Sequence, residues 1–127
     1  MLFYENELIA FMRDNPNTKI LVVGSSAMEL HGYPVDNQDI DIVVDTDIDN
    51  IDISKYPHLD IGGIDSKYSR FKYMLDSKEY RVKKGNYFIL SLRGLKEFYK
   101  ELFKLYIGKS YKALKYRKRL FMLEGIN

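Results

Sequence analysis

The sequence predicts an α+β fold in which helices flank a mixed β-sheet. Short apolar or alternating segments typical of strands recur along the chain, and amphipathic helical patterns precede and follow them. Hydrophobic residues make up 46% of the 127 residues, which suits one globular domain. We therefore divide this single domain into an α/β core over residues 1–92 and a C-terminal helical part over residues 93–127.

The composition argues against a membrane-spanning, a secreted or a disulfide-bonded protein. No stretch approaches the roughly 20 apolar residues of a membrane-spanning helix, so we expect no membrane contact. The first residues lack the basic region that begins a secretory signal. The sequence contains no cysteine, which excludes a disulfide framework, a thiolate zinc site and a cysteine nucleophile. We expect a protein of the reducing cytoplasm.

The start of the chain predicts a helix followed by a buried strand. Residues 6–13 place apolar side chains at a helical spacing, and the Asp-Asn-Pro-Asn sequence at 14–17 ends that helix. Residues 19–23 form a short β-branched run that stops at Gly24. Such a run, bounded by turn residues, is typical of a buried strand.

A short helix and a second strand are expected next. Residues 25–32 contain Ser26 and Glu29, whose spacing predicts a capping box at the start of a helix. Gly32 suits the left-handed position that ends a helix. After a loop, residues 39–44 alternate acidic and apolar side chains before two valines, which indicates a strand.

The rest of the chain predicts further strands and two longer helices. Residues 58–61 alternate in the same way and predict a shorter strand. Residues 68–92 carry a weaker strand-like pattern, in which the Gly-Asn pair at 85–86 would turn a hairpin. We expect one amphipathic helix over residues 95–106 and another over residues 111–123.

Charge is divided unevenly along the chain. Residues 1–65 carry thirteen acids and three bases, a net charge of −10, whereas residues 66–127 carry five acids and seventeen bases, a net charge of +12. This asymmetry indicates an acidic site in one half and an anion-facing surface in the other. The alternative is that the two halves simply complement each other across one fold.

The junction of the first strand with the short helix is a candidate binding site. Where a strand turns into a helix, the backbone amides of Gly24 and Ser25 are unpaired and the helix dipole is positive. Glycine lets a phosphate approach the backbone closely, and the Ser25 hydroxyl adds a donor. The pair therefore predicts an anion site.

Two carboxylates on the second predicted strand form another candidate site. Asp39 and Asp41 lie two residues apart and so point to one face, while Ile40 and Ile42 point to the core. Adjacent carboxylates repel each other, and Mg²⁺ relieves this repulsion because it prefers carboxylate and phosphate oxygens. Such a pair can bridge two metals about 4 Å apart, the geometry used for phosphoryl or nucleotidyl displacement.

The order of these motifs is similar to that of a known family. The sequence Leu-Val-Val-Gly-Ser-Ser at 21–26, a short helix and a loop precede Asp-Ile-Asp-Ile-Val-Val at 39–44. This order resembles the polymerase-beta-type nucleotidyltransferase superfamily. Residues 22–42 resemble more closely its small stand-alone members, which include the toxins of abortive-infection and toxin–antitoxin systems. The sequence Ser-Leu-Arg-Gly-Leu at 91–95 is similar to a Ser-Leu-x-x-Leu helix start in that group.

The resemblance implies a fold and roles for particular residues. It implies a nucleotidyltransferase fold with C-terminal helices. Gly24 and Ser25, with the adjoining Ser26, would hold the phosphates of a nucleoside triphosphate. Asp39 and Asp41 would bind Mg²⁺ or Mn²⁺ and take part in catalysis.

A third carboxylate on the next strand is also implied by the resemblance. It would bind the metal and assist the incoming nucleophile. Asp60 is our choice, because its alternation with Leu59 and Ile61 directs it away from the core. Asp52 and Asp65 are the alternatives.

The implied activity is transfer of a nucleoside monophosphate from a nucleoside triphosphate to a hydroxyl acceptor, with release of pyrophosphate. The basic second half of the chain favours RNA, tRNA included, as the acceptor; a protein hydroxyl or a small molecule is the alternative. Two other hypotheses stay open. One is a catalytically degenerate member that binds or regulates a protein partner, and the other is a non-catalytic RNA-binding domain.

A bound triphosphate also needs a basic side chain. We predict that Arg70 or Lys72 supplies it, because a strand over residues 68–74 would place both on one face, close in the chain to Asp60. The bases of the last helix would then contact the acceptor: Lys112, Lys115 and Arg119.

Overall fold

The fold is built on a five-stranded sheet. The computed structural model describes residues 2–36, 39–62 and 69–125. The strands are β1 (Ile20–Val23), β2 (Ile40–Val44), β3 (Leu59–Gly62), β4 (Arg81–Lys84) and β5 (Tyr87–Leu90), in the spatial order β3-β2-β1-β5-β4. The pairs β1–β2 and β4–β5 are antiparallel, whereas β1–β5 and β2–β3 are parallel. The sheet is therefore mixed, as predicted.

Helices accompany the sheet, which confirms the α+β class. They are α1 (Glu5–Asp14), α2 (Gly24–Leu30), α3 (Leu92–Tyr106) and α4 (Lys112–Glu124), and a longer 3-10 helix spans Ser69–Asp76. Within the three described ranges, no helix combines the length and apolar character needed to cross a membrane.

Register divides the side chains of the sheet between its two faces. Leu21 is paired with Val43 on one side and with Phe88 on the other, so these three share a face. Asp41, two residues before Val43, lies on the same face. The aromatic rings of Phe71 and Phe98 pack over this face, with their centroids 4.5 Å apart.

Helix α1 covers the opposite face. Successive strand residues point to opposite sides, so Tyr87 points away from the Phe88 face. The Tyr87 hydroxyl donates to Oε1 of Glu5 in α1 at 2.6 Å. At the other end of α1, Phe11 packs edge-on against Tyr56, with ring centroids 5.1 Å apart. The sheet thus separates α1 from the face that carries Asp41.

The strand predicted over residues 68–74 is wrong. Residues 69–76 form a 3-10 helix instead, and Tyr68 lies outside the described residues. Phe71 and Met74 are both fully buried, and their spacing of three matches the period of a 3-10 helix. The buried apolar side chains therefore recur every three residues, and not every two residues as they would in a strand.

The predicted capping box is also wrong. Helix α2 begins at Gly24, its N-cap residue is Val23, and no side chain caps it. Ser26 therefore lies inside the helix, where it is completely buried. Its hydroxyl donates to the backbone carbonyl of Asp39 at 3.2 Å, which joins α2 to the start of β2.

The start of α3 is fixed by Ser91. Its hydroxyl accepts a hydrogen bond from the Gly94 amide at 3.0 Å and donates to the Glu79 carbonyl at 2.8 Å. The helix therefore begins before the amphipathic pattern at residue 95. Gly94 packs so tightly here that an added Cβ would lie 2.4 Å from the Tyr80 carbonyl oxygen.

We expect Gly94→Ala to destabilise the protein. In an open helix interior this change would add about 1 kcal/mol of stability, but here the new methyl group meets a backbone carbonyl. Overpacking of this kind costs about 1–3 kcal/mol. Lys100→Ala, an exposed change in the same helix, is the control. Urea denaturation should separate the two variants, and a gain in stability for Gly94→Ala would contradict the packing.

Candidate functional site

The site is centred on a close approach between Asp41 and Gly24. Gly24 opens α2 with a φ of +63°, in the left-handed region that favours glycine. A Cβ added at this position would lie 2.8 Å from Oδ2 of Asp41. The antiparallel pairing of Val23 with Asp41 brings the two together. The group that occupies the space beside Gly24 is therefore the chain's own carboxylate.

A second carboxylate lies beside Asp41. Asp60 is the register partner of Asp41 in the parallel pair β2–β3, so the two side chains share a face of neighbouring strands. Such strands lie about 4.8 Å apart. Asp60 is thus the predicted third carboxylate that the fold brings next to Asp41.

Asp39 lies immediately before the strand rather than at its first residue. Strand β2 begins at Ile40, whose amide donates to the His58 carbonyl at 2.9 Å. Asp39 is exposed in a bend before the strand. In residues 2–36, 39–62 and 69–125, no three acidic or histidine side chains form a group that could hold a metal ion. A metal site formed by Asp39, Asp41 and Asp60 stays a prediction.

A small cavity of about 60 Å³ adjoins Asp41. The floor is formed by the start of α2 and by β2, and the roof by α3 and α4. Its lining comprises Gly24, Ser25, Asp41, Phe98, Tyr99, Leu102, Lys115, Tyr116 and Arg119. The acidic and basic halves of the chain therefore meet at this cavity.

Tyr99 lies between the opposite charges of the cavity. It is buried, and that burial raises the pKa of its hydroxyl. The positive charge of the Arg119 guanidinium lowers this pKa, while the negative charge of Asp41 raises it. Because burial is the largest effect, Tyr99 stays protonated at neutral pH and presents a neutral hydroxyl to the cavity.

Tyr116 is the second tyrosine of the cavity. Burial raises the pKa of its hydroxyl, and the neighbouring Tyr106 and Asp41 add to the effect. Its ring centroid lies 6.1 Å from that of Tyr99. The side chain of Asp41 thus faces two neutral tyrosines, with the cations of α4 close by.

Arg70 and Lys72 lie elsewhere. Both are exposed on the 3-10 helix, on either side of the buried Phe71. At three residues per turn, positions two apart do not share a face, so the expected pairing of these two bases on one face is wrong. The bases that line the cavity are Lys115 and Arg119, which the sequence assigned to the acceptor.

The tyrosines and bases of the roof had only a partial signal in the sequence. Lys115 and Arg119 lie on a helical stripe beside the one formed by Ala113 and Tyr116. This pattern predicts that Lys115 and Arg119 lie at the edge of the helix face that packs against the rest of the protein. Nothing local indicates that this edge meets Asp41, because the packing of α4 along α3 decides it.

Other candidate residues have contacts outside the cavity. His31 bonds the Leu90 carbonyl through Nε2 at 2.8 Å. His58 pairs through Nδ1 with Oε2 of Glu7 at 2.5 Å, and its ring stacks on Tyr4. Asp52 is exposed and accepts a hydrogen bond from the Ser54 hydroxyl. Asp65 lies outside the described residues.

Comparisons with known proteins do not identify a family for this chain. No family model, curated protein or solved structure matches this chain significantly.

We expect Gly24→Ala to displace the Asp41 carboxylate. Gly32→Ala is a matched control, because Gly32 also has a positive φ, of +93°, but has open space where a Cβ would stand. Both changes carry the cost of a left-handed alanine, about 1–2 kcal/mol. Only Gly24→Ala should cost more than this.

A double-mutant cycle with Asp41→Ala tests the origin of that extra cost. Once the carboxylate is removed, Gly24→Ala should become no more destabilising than Gly32→Ala in urea denaturation. An extra cost that persists without Asp41 would show that the contact does not matter.

Proposed function

We propose that the protein is a metal-dependent nucleotidyltransferase with a polymerase-beta-like fold. It would move a nucleoside monophosphate from a nucleoside triphosphate to a hydroxyl acceptor and release pyrophosphate. The observation that carries the proposal is the placement of Asp41 against Gly24, with Asp60 in register beside it. This supports the grouping that the motif order suggested, with the Gly-Ser motif beside the Asp-x-Asp motif.

The donor atoms fit a divalent cation. Asp41 and Asp60 offer carboxylate oxygens from neighbouring strands, the ligand type that Mg²⁺ prefers, and Asp39 at the entrance to β2 is the candidate third ligand. Mn²⁺ accepts the same ligands. When bound, the ion would neutralise the charge that the carboxylates and the phosphates bring together.

The residues around the cavity have distinct roles in the proposed transfer. Ser25 and the backbone of Gly24 would hold phosphate oxygens at the start of α2, on the side of the loop that the Asp41 carboxylate does not fill. Ser26 would act indirectly, because its buried hydroxyl is bonded to the Asp39 carbonyl. Asp60 would take the proton of the acceptor hydroxyl. The acceptor oxygen then attacks the α-phosphorus, the bond from that phosphorus to the bridging oxygen breaks, and pyrophosphate leaves with its electrons.

The cavity must open before a nucleotide can enter. Small-molecule sites measure about 300–1,000 Å³, whereas this one measures about 60 Å³. The roof residues Lys115, Tyr116 and Arg119 all belong to α4. A shift of α4 away from β2 would enlarge the cavity and leave the two cations beside the phosphates.

The acceptor and the compartment are further parts of the proposal. The net charge of +12 on residues 66–127 supports RNA, tRNA included, as the acceptor. A cytoplasmic enzyme would meet both substrates. Incubation with each labelled nucleoside triphosphate, Mg²⁺ and total cellular RNA, followed by gel separation, identifies the nucleotide and the acceptor class together.

The closed roof favours a second candidate function. A catalytically degenerate protein with this fold could keep α4 in place and use its surface to bind or regulate a protein partner. It would transfer no label from any triphosphate to RNA or protein, and Mg²⁺ with nucleotide would leave its melting temperature unchanged.

We expect Asp41→Asn to abolish nucleotidyl transfer and leave the protein folded. The change removes a metal ligand. Relief of the repulsion between Asp41 and Asp60 opposes the loss of attraction to Lys115 and Arg119, so stability without metal should change little. Thermal melts with and without Mg²⁺ should show metal stabilisation for the wild type and for Asp49→Asn, an exposed control. Equal Mg²⁺ stabilisation of Asp41→Asn would contradict a metal role.

We expect Arg119→Ala to raise the Michaelis constant for the nucleotide more than Arg70→Ala does. A charge-assisted hydrogen bond contributes about 1.5–3 kcal/mol, which corresponds to about a tenfold or larger rise. Lys115→Ala and Lys72→Ala form a second pair for the same comparison. If the Michaelis constant rose only in Arg70→Ala and Lys72→Ala, the phosphates would be bound by the 3-10 helix and not by α4.

A further inference from the structure

A shallow groove that is open to solvent runs along one stripe of helix α4, next to the Asp41 cavity. The groove has a volume of about 350 Å³ and is lined by Tyr111, Leu114, Lys115, Lys118 and Arg119. Their spacing of three and four residues makes them one stripe of the helix. We call this stripe the α4 groove.

The apolar members of the α4 groove face solvent. Tyr111 is 85% exposed and Leu114 is 58% exposed. Two other tyrosines of this region, Tyr99 and Tyr106, instead pack against the ring of Tyr116, with centroids 6.1 and 5.7 Å apart. Core packing therefore accounts for those rings and leaves Tyr111 available to a partner.

The groove is strongly cationic. Residues 112–119 contain five bases and no acid, and the first acid that follows is Glu124. An exposed aromatic ring among lysines and arginines is the combination that binds single-stranded nucleic acid, since a base stacks on the ring while the cations contact phosphates.

The groove leads into the candidate active site. Lys115 and Arg119 line both the α4 groove and the cavity that holds Asp41. A strand bound along the groove would therefore have one end beside the Asp41 carboxylate. A polyanion that followed these two cations would be guided to that position.

We propose that the α4 groove binds single-stranded RNA, with a base stacked on Tyr111 and a phosphate on Lys118. Lys115 and Arg119, which line both the groove and the cavity, would bring the end of the strand next to the triphosphate that they contact in the proposed enzyme. The terminal hydroxyl of the strand would then reach the Asp41 cavity as the acceptor. That last step rests on the proposed nucleotidyl transfer, whereas binding of RNA to the groove does not. An acidic protein would also satisfy the cations, but the continuity of the groove with the Asp41 cavity favours a strand whose end enters that cavity.

Binding without nucleotide or Mg²⁺ tests the proposal separately from catalysis. Fluorescence anisotropy would compare a labelled single-stranded RNA with an abasic strand of equal length. We expect the RNA to bind more tightly. Tyr111→Ala should weaken RNA binding about tenfold and leave binding of the abasic strand unchanged, and Tyr111→Phe should keep the wild-type affinity.

Matched variants control for loss of surface area and of charge. Tyr73→Ala removes a tyrosine that is 52% exposed on the 3-10 helix and should leave RNA binding unchanged. Lys118→Ala should weaken both strands and reduce the salt dependence by about 0.7 in the log–log slope. Lys78→Ala, an exposed base outside α4, should change neither. Far-UV circular dichroism checks that α4 still forms.

Three results would overturn the proposal. One is an equal effect of Tyr111→Ala and Tyr73→Ala, and another is equal affinity for the RNA and the abasic strand. The third is tighter binding of polyglutamate than of RNA, which would assign the groove to an acidic protein. RNA binding through Tyr111 without any nucleotidyl transfer would support the groove and contradict the proposed enzyme, whereas transfer to another acceptor without RNA binding would do the reverse.

Discussion

The contact between the Asp41 carboxylate and the backbone of Gly24 is the constraint on which the site depends. It requires three elements at once: the end of β1, the first turn of α2 and the start of β2. No side chain fits between them, since a Cβ at Gly24 would lie 2.8 Å from Oδ2 of Asp41. The groups of the cavity, Tyr99 among them, lie around that carboxylate, and Asp60 is its register partner on the neighbouring strand.

Much of this arrangement is local and could be predicted. The β-branched run before Gly24 predicts β1, and acid–apolar alternation predicts β2 and β3, because both patterns depend only on neighbouring residues. The Gly-Asn turn and the amphipathic period give the β4–β5 hairpin and α3 in the same way. The placement of Asp60 next to Asp41 follows from the alternation together with the parallel pairing of β2 and β3.

The remaining features depend on contacts between distant parts of the chain. Ser26 and Glu29 have the spacing of a capping box, but burial of Ser26 against the Asp39 carbonyl fixes a different helix start. The segment around Phe71 looks like a weak strand in the sequence. Only the burial of Phe71 and Met74, three residues apart, shows that it is a 3-10 helix. The packing of α4 along α3 forms the roof of the cavity. The sequence of either helix alone therefore does not predict that Arg119 lies next to Tyr99.

The sheet also acts as an electrostatic partition. The first half of the chain has a large negative charge, yet its carboxylates do not form one field. Glu5 accepts from Tyr87 on the α1 side of the sheet, while Asp41 lies on the side of Phe88. Glu5 of α1 therefore anchors a tyrosine hydroxyl on one side of the sheet, whereas Asp41 lines a cavity with the cations of α4 on the other. Total charge in this protein is therefore a poor guide to local potential, because a sheet with buried apolar side chains stands between Glu5 and Asp41.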